Sequence, residues 1–492
     1  MAITKRLSDL GLSAREGRNP PLSGITADSR AVREGMLFAA LPGSARHGAD
    51  FIATALEAGA AAILTDPMGA IIASGPLGAS QAALVVADDP REALAYAAAL
   101  WFGAQPECMV AVTGTNGKTS VATFTRQIWA ALGHEAINIG TTGVEGAWAA
   151  PSSHTTPDPV TLHRMLADAA AAGVTHAAME ASSHGLDQRR LEGVRLMAAG
   201  FTNLTQDHLD YHHTMQAYLA AKAGLFTRLL PEDGVAVVNL DGAHGSDIAE
   251  LALNRGLRVL TVGKGQGADL QIAATRPDAT GQEVRFLWQG QAHQTRLNLI
   301  GAFQAENVAV AAGLAIAAGD DPQAVLATLP KLTGVRGRMQ LAATRRNGAS
   351  VFVDYAHTPD AIETALRALR PHVMGRLIIA FGAGGDRDTT KRPLMGAAAR
   401  ANADVLFVTD DNPRSEDPAA IRAAILQACP DANEVGDRAE AILRAVDALQ
   451  PGDALLIAGK GHETGQVIKG DIFPFDDVEQ ASIAVAALDG VI

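Results

Sequence analysis

The chain has 492 residues, a formal net charge of −13, 48% hydrophobic and 19% charged residues. That length implies about three domains at roughly 150 residues each, and the acidic balance excludes non-specific docking on nucleic acid or anionic lipid. Two distant cysteines, Cys108 and Cys429, are too few for a disulfide framework and point to a reducing, cytoplasmic setting. No signal peptide is legible, and no apolar run reaches the roughly 20 residues of a membrane span.

In chain order, β-like runs at 24–28, 36–41, 61–65 and 84–87, with helical stretches at 51–58 and 91–101, predict a small α/β domain over residues 1–105. A GAQPE linker at 103–107 closes it. A strand at 109–112 then enters a glycine-rich loop, and further strands are expected at 176–179, 198–201, 235–238 and 258–262. Residues 265–296 alternate more weakly and read as an antiparallel addition, and 306–318 as a helix, completing a domain over 106–335. From 336 to 492 the strand, polar loop, helix pattern returns, with strands at 351–353, 377–381, 405–409 and 454–458. The fold class is α/β, with abundant Ala and Gly and only 4% aromatics fitting helices packed closely on sheets.

Nearly every chemically suggestive segment follows a predicted strand. TGTNGKT (113–119), EASSH (180–184) and TNLTQDHLDYH (202–212) do so in the middle section. DYAHTPD (354–360), GAGGDRD (382–388), DDNPR (410–414) and GKGHE (459–463) do so in the last. Ligands of parallel α/β sheets sit beyond the carboxyl ends of the strands, so two such edges facing each other would form a cleft for small molecules.

Within the first of these loops, the amides from Gly114 through Thr115, Asn116 and Gly117 to Lys118 can curl around phosphate oxygens. Lys118 adds positive charge near the β/γ-phosphates, Thr119 offers a hydroxyl to Mg²⁺, and Ser120 lies in the first turn of a helix whose N-terminus faces the anion. Val112 stands where the strict P-loop pattern has its first glycine, so that pattern is only partly met, and an ordinary glycine-containing β–α turn is the competing reading.

TGTNGKT is similar to the variant phosphate loop of the Mur ligase family, a group that also includes folylpolyglutamate synthetase. The resemblance extends in family order through ADSR (27–30), TTPD (155–158), MEASSHGLDQRR (179–190), FTNLTQDHLDYH (201–212), AYLAAK (217–222), GRM (337–339), DYAHTPDA (354–361), GGDRD (384–388), KRPLMG (391–396), TDDNPR (409–414) and GKGHE (459–463). It implies three domains: a UDP-binding N-terminal domain, a central P-loop-type ATPase domain with a mostly parallel sheet, and a C-terminal Rossmann-like domain. Within the family it looks like the branch that adds meso-diaminopimelate to the D-glutamyl γ-carboxylate of UDP-N-acetylmuramoyl-L-alanyl-D-glutamate. That reaction consumes ATP, passes through an acyl phosphate and serves peptidoglycan precursor synthesis. The enzyme is expected to be a cytoplasmic monomer with small-molecule substrates only.

The resemblance also carries residues. Lys118, Glu180, His208 and Lys222 are the expected catalytic set; Thr119, Glu180, His208 and a carbamylated Lys222 (N6-carboxylysine) are the expected Mg²⁺ supports. Mg²⁺ prefers oxygen ligands, which Thr119, Glu180 and the Lys222 carbamate would supply. From the residues alone, Glu180 reads equally as a solvent-facing loop acid, His208 as structural or as part of a His/Asp zinc cluster, and Lys222 as a surface helical lysine. Asn307, Arg338, Asp354 and His357 match ATP contacts, with His357 alternatively capping a helix, and Tyr355 shares their loop. Ala27, Ser29, Ser44, Ala45, Arg46, Thr155, Thr156, Ser182, Gln188 and Arg190 match positions around the UDP-sugar and its peptide; Arg46 departs from the family pattern.

Arg387, Asp411, Asn412, Pro413, Arg414, Gly459 and Glu463 match positions around the incoming amino acid. Arginine pairs well with a distal carboxylate, and Asp411 and Glu463 suit its ammonium. Arg414 speaks against lysine as acceptor, since lysine would leave the guanidinium unpaired. The alternative is that Asp411 or Asn412 merely caps a helix. Rival functions are a P-loop ATPase driving conformational work on a partner and a catalytically dead nucleotide-binding regulator; intact Lys118, Thr119, Glu180 and His208 oppose the latter.

Overall fold

The computed structural model describes residues 4–43, 46–152, 154–278 and 280–490. Three main sheets follow one another along the chain. The first has four parallel strands, Gly24–Thr26, Met36–Ala39, Ala62–Thr65 and Ala83–Val86. Its strands alternate between two cores. Leu37 and Ala39 meet Leu94 and Trp101 of the helix Pro90–Phe102, whereas Phe38 and Ala40 meet Ile52 and Ala55.

The second sheet has ten strands, centred on Cys108–Thr113, which is buried along its whole length. Full burial on both faces is what a central parallel strand requires. Val110 and Val112 point into a layer with Phe124, Trp129 and Val308; Met109 and Ala111 point the other way, toward Leu162, Leu166 and Phe226. Each fully buried Val, Leu, Phe or Met side chain among these stabilises the fold by about 1.5–3 kcal/mol.

His176–Glu180 lies parallel on one side of the central strand and Ala198–Phe201 on the other. The loops after residues 113, 180 and 201 therefore converge at one point of the sheet edge, where strand order reverses. Two strands absent from the expectation, Ala136–Gly140 and Gly143–Gly146, extend one side. The expected antiparallel addition forms on the other as Leu270–Asp278, Gly281–Trp288 and Gln291–Leu297.

The third sheet runs Gln340–Thr344, Ser350–Asp354, Ala454–Ala458, Leu377–Phe381, Val405–Val408, Asn433–Glu434, parallel except for its first pair. Leu377, Ile379 and Phe381 face one helical layer, Ile378 and Ala380 the other. A separate hairpin, Gly465–Ile468 with Asp471–Pro474, follows the last central strand. Among the described residues no helix is long and apolar enough to cross a membrane.

Candidate active site

The phosphate-loop segment turns on two glycines with positive φ, Gly114 (+148°) and Gly117 (+87°), and Lys118 opens the helix Lys118–Leu132. Its backbone is tied to the segment that follows the neighbouring strand. Thr115 N donates to Asn203 O at 2.8 Å, Asn116 N to Asn203 Oδ1 at 3.0 Å, and Thr202 Oγ1 to Asn116 O at 2.6 Å. The loop is thus pinned by the segment after the neighbouring strand. Lys118 Nζ donates to Gly114 O and Thr115 O at 2.8 and 2.9 Å, and its burial lowers its pKa, with the Glu180 charge acting against that.

Glu180 is the last residue of its strand, not one past it, and is 1% exposed. The loop-acid reading is overturned. The carboxylate stays on the sheet edge because Thr141 holds it, N–H to Oε1 at 2.8 Å and hydroxyl to Oε2 at 3.2 Å. Thr141 also meets the Thr155 hydroxyl at 3.0 Å, which joins the TTPD segment to this acid.

Lys222 overturns the surface reading too. It lies on the helix Met215–Gly224 but is 1% exposed, donating to Gly114 O at 2.7 Å and lying 4.6 Å from the centre of the Tyr218 ring. Burial, reinforced by Lys118, holds its pKa far below that of a free lysine. His208 sits at φ +53° beside Asp207, with burial pushing its imidazole down to about 4. Among the described residues no three His, Cys, Asp or Glu side chains gather into a metal-binding cluster.

These groups line a cavity of about 550 Å³ whose opposite wall comes from the third sheet. Arg338 crosses the gap: Nη2 lies 3.3 Å from Thr119 Oγ1, while the guanidinium stacks 4.5 Å from the centre of the Tyr355 ring. Asp354 and His357 line the same cavity, and burial raises the Asp354 pKa and lowers that of His357. His357 does not cap the following helix; Thr358 does, accepting from Ala361 N. Asn307 faces Gly117 so closely that a Cβ there would strike its amide oxygen. Lys391 feels both Asp207 of the central region and Asp411 of the C-terminal loops, opposing the lowering of its pKa by burial.

The C-terminal loops form a second polar assembly. Asp411 and Asn412 are buried, and Asp417, not either of them, caps the next helix. Asn412 Nδ2 donates to Glu463 Oε2 at 2.8 Å, and a Cβ on Gly459 would strike the Asp411 carboxylate. Arg414 has φ +52° and donates to Gly385 O at 2.7 Å. Pro413 O receives Glu416 N, and Arg387 is exposed at the rim beside Asp386.

The UDP-sugar set is less concentrated. Thr155 and Ser182 line the main cavity, and Gln188 lines a second, of about 660 Å³, with Arg189, Tyr211 and Asp89. Arg190 bridges Thr156 O and Gln188 Oε1, both at 2.7 Å. Ala27, Ser29 and Arg46 line neither cavity: Ala27 and Arg46 are exposed and Ser29 begins a short 3₁₀ turn capped by Asp28. Ser44 and Ala45 lie outside the described residues.

Two facing strand edges, one with a phosphate loop and one with a buried amide–carboxylate cluster, describe a nucleotide-dependent ligase scaffold. The comparisons agree. Residues 21–101 match the model of the Mur ligase family catalytic domain, 112–315 the Mur ligase middle domain, and 337–461 the Mur ligase glutamate ligase domain.

The chain belongs to the Mur ligase family, whose members are ATP-dependent ligases. It is 51% identical over 496 residues to the UDP-N-acetylmuramoyl-L-alanyl-D-glutamate–2,6-diaminopimelate ligase of Caulobacter vibrioides, covering 99% of this chain and 100% of that one. The ligase of the same name from Brucella melitensis is 49% identical over 477 residues, covering 97% and 96%. A solved structure of a ligase of that name superposes with a TM-score of 0.71 at 36% identity, covering 99% of both chains. MurF from Acinetobacter baumannii, at 18% identity and a TM-score of 0.64 over 93% of this chain and 96% of its own, shares the fold.

Proposed function

We propose that this chain is the ATP-dependent, ADP-forming ligase that joins meso-diaminopimelate to the D-glutamyl γ-carboxylate of UDP-N-acetylmuramoyl-L-alanyl-D-glutamate, in the cytoplasm and as a monomer. The reading is supported by full-length similarity to ligases of that name and by one structural observation: Lys118, Glu180 and Asp354 line a single cavity between the second and third sheets. On this reading residues 1–105 bind the UDP moiety, 106–335 bind ATP and 336–492 bind the amino acid. The rival ATPase acting on a protein partner explains neither the buried acid–amide cluster around Asn412 nor the similarity over the whole chain.

Chemically, the D-glutamyl carboxylate attacks the γ-phosphorus of ATP, forming the acyl phosphate and expelling ADP. The acceptor amine then attacks the acyl carbon, and inorganic phosphate leaves as the amide forms. Most of the catalysis is positioning and charge stabilisation. Lys118 faces the phosphates, Arg338 reaches the nucleotide from the far wall, and His208 stays neutral at physiological pH.

The residues fit Mg²⁺: Glu180 is a buried carboxylate held in place, Thr119 a hydroxyl at a helix N-terminus, and both are hard oxygen donors. His208 and Lys222 complete the set on this reading, Lys222 as a carbamate, since its depressed pKa supplies the free amine that reacts with CO₂. The metal supplies neutralisation of phosphate charge. Thr155, Thr156, Ser182, Gln188 and Arg190 hold the muramoyl-peptide; Arg387, Asp411, Asn412, Arg414, Gly459 and Glu463 hold the acceptor.

The test is phosphate release from ATP, Mg²⁺ and the UDP-muramoyl-dipeptide with meso-diaminopimelate, with L-lysine and with no acceptor. Release that requires diaminopimelate supports the reading; release indifferent to the dipeptide and acceptor overturns it.

A further inference from the structure

Beneath the acceptor loops lies a lysine whose role the ligase chemistry does not explain. Lys460 is 0% exposed, between Gly459 and Gly461 at the end of the strand Ala454–Ala458. A lysine ammonium in such a place is strongly unfavourable unless it is paired and hydrogen-bonded. Its partners among the described residues are Asn412 Oδ1 at 3.0 Å and Glu463 Oε2 at 3.4 Å.

The neighbouring buried cation, Arg438, differs. It is fully matched by Asp477 through two bonds of 2.7 Å, both side chains 0% exposed, so that pair adds no net charge to the loops. Among the described residues, Lys460 has no buried acid partner comparable to Asp477. Its counter-charge is Glu463, whose side chain is 33% exposed and reaches the loop surface.

Two consequences follow. The first is geometric: Asn412 Oδ1 receives both Lys460 Nζ and Val467 N, its Nδ2 is turned onto Glu463 Oε2, and Glu463 is thereby fixed in one orientation. The second is electrostatic. Asp411 and Glu463 together carry two negative charges, and Lys460 offsets one of them from inside. An uncompensated acid pair attracts a cationic side chain. A half-compensated one, with Arg414 nearby, favours a far end that carries both a carboxylate and an ammonium.

We propose that Lys460 is a specificity-determining residue, which by offsetting Glu463 biases the ligase toward zwitterionic rather than singly cationic acceptor ends. This rests on the reading of the 410–414 and 459–463 loops as the acceptor site. A unit charge about 8 Å from a ligand charge, at an effective dielectric of roughly 20 to 40, changes a binding ratio by about 5- to 30-fold.

The experiment measures kcat/KM for meso-diaminopimelate and for L-lysine in the full-length Lys460→Met and Lys460→Gln variants, with KM for ATP as a control. Methionine keeps the buried volume without charge, and glutamine keeps a hydrogen bond to Asn412. The expected result is a fall of about tenfold in the diaminopimelate-to-lysine ratio in whichever variants fold, with KM for ATP unchanged. Equal loss for both acceptors, or an unchanged ratio, leaves Lys460 purely structural and overturns the proposal. If neither variant folds, the wild-type ratio measured with increasing salt is the check: a ratio insensitive to ionic strength agrees with a buried counter-charge, and one that collapses overturns it. A wild-type enzyme that uses no diaminopimelate removes the acceptor-site reading itself, a result distinct from an unchanged ratio in an active variant.

Discussion

Gly114→Ala separates a formed phosphate loop from a merely glycine-containing turn. At φ +148° an L-residue is strained, by about 1–3 kcal/mol. A Cβ at this position would fall on the Thr202 hydroxyl and lie 3.1 Å from both Asn203 N and Asn203 O. Rotating Thr202 away relieves only the first contact and breaks its bond to Asn116 O; the backbone of Asn203 is fixed by Thr115 N. Overpacking of that kind adds about 1–3 kcal/mol. The sum, about 2–6 kcal/mol, falls on the loop whose Gly114 carbonyl receives both Lys118 and Lys222. A central value near 4 kcal/mol corresponds to a loss of about 1000-fold in kcat/KM for ATP. Acceptor-dependent phosphate release across an ATP titration reads it, with a thermal melt to show that the variant is folded. Adding Thr202→Ala should recover about tenfold, because the hydroxyl clash goes but the strain and the Asn203 contacts stay. A folded Gly114→Ala enzyme with wild-type kcat/KM for ATP would refute the reasoning.

Two further outcomes are expected. His462 is held neutral down to about pH 4 by burial, helped by Arg338 and Arg336, whereas in the unfolded chain it takes up a proton near 6.5. Its folded pKa is lowered, so the unfolded state binds more protons between those values: stability is full above about pH 6.5 and declines toward pH 4. His462→Gln should flatten the melting-temperature profile over that window; an unchanged slope contradicts the assignment. For Lys222, stripping CO₂ from the buffer should reduce ligation and bicarbonate should restore it, while Lys222→Arg stays unresponsive. A wild-type rate indifferent to CO₂ would count against the carbamate.

The strands that carry chemistry were legible because a buried parallel strand is a short β-branched or alanine-rich run bounded by polar loops, as at 109–112 and 377–381. Ala136–Gly140 escaped because AINIG is short and lies between Glu135 and the Thr141–Thr142 pair, without a clear turn signal. Burial was the harder quantity. Helical spacing alone places Lys222 in solvent; only the packing of its helix beside the phosphate loop puts the ammonium on Gly114 O.

Thr141 and Lys460 were missed for related reasons. Thr141 acts through a hydrogen bond to Glu180 across 39 residues, and nothing local marks it. Lys460 was visible inside GKGHE, yet a loop lysine between glycines reads as exposed until the fold closes over it. Asn203, inside the quoted TNLTQDH segment, had a signal in its position after a strand, but its task of pinning the phosphate loop is a matter of sheet order.

The shared carbonyl of Gly114 connects these points. Lys118 and Lys222 approach the same oxygen from two helices, at 2.8 and 2.7 Å. Two full positive charges around one buried carbonyl repel each other, and little solvent is available to screen them. The arrangement is stable if one amine gives up its proton. Lys222 is the one whose pKa is pushed well down, by burial and then by the Lys118 charge; burial lowers Lys118 as well, but there the Glu180 charge acts in the other direction. On the proposed reading Lys118 is the cation for phosphate and Lys222 the amine open to CO₂, and the Glu180 charge, which acts on Lys118 and not on Lys222, is what separates two chemically identical side chains.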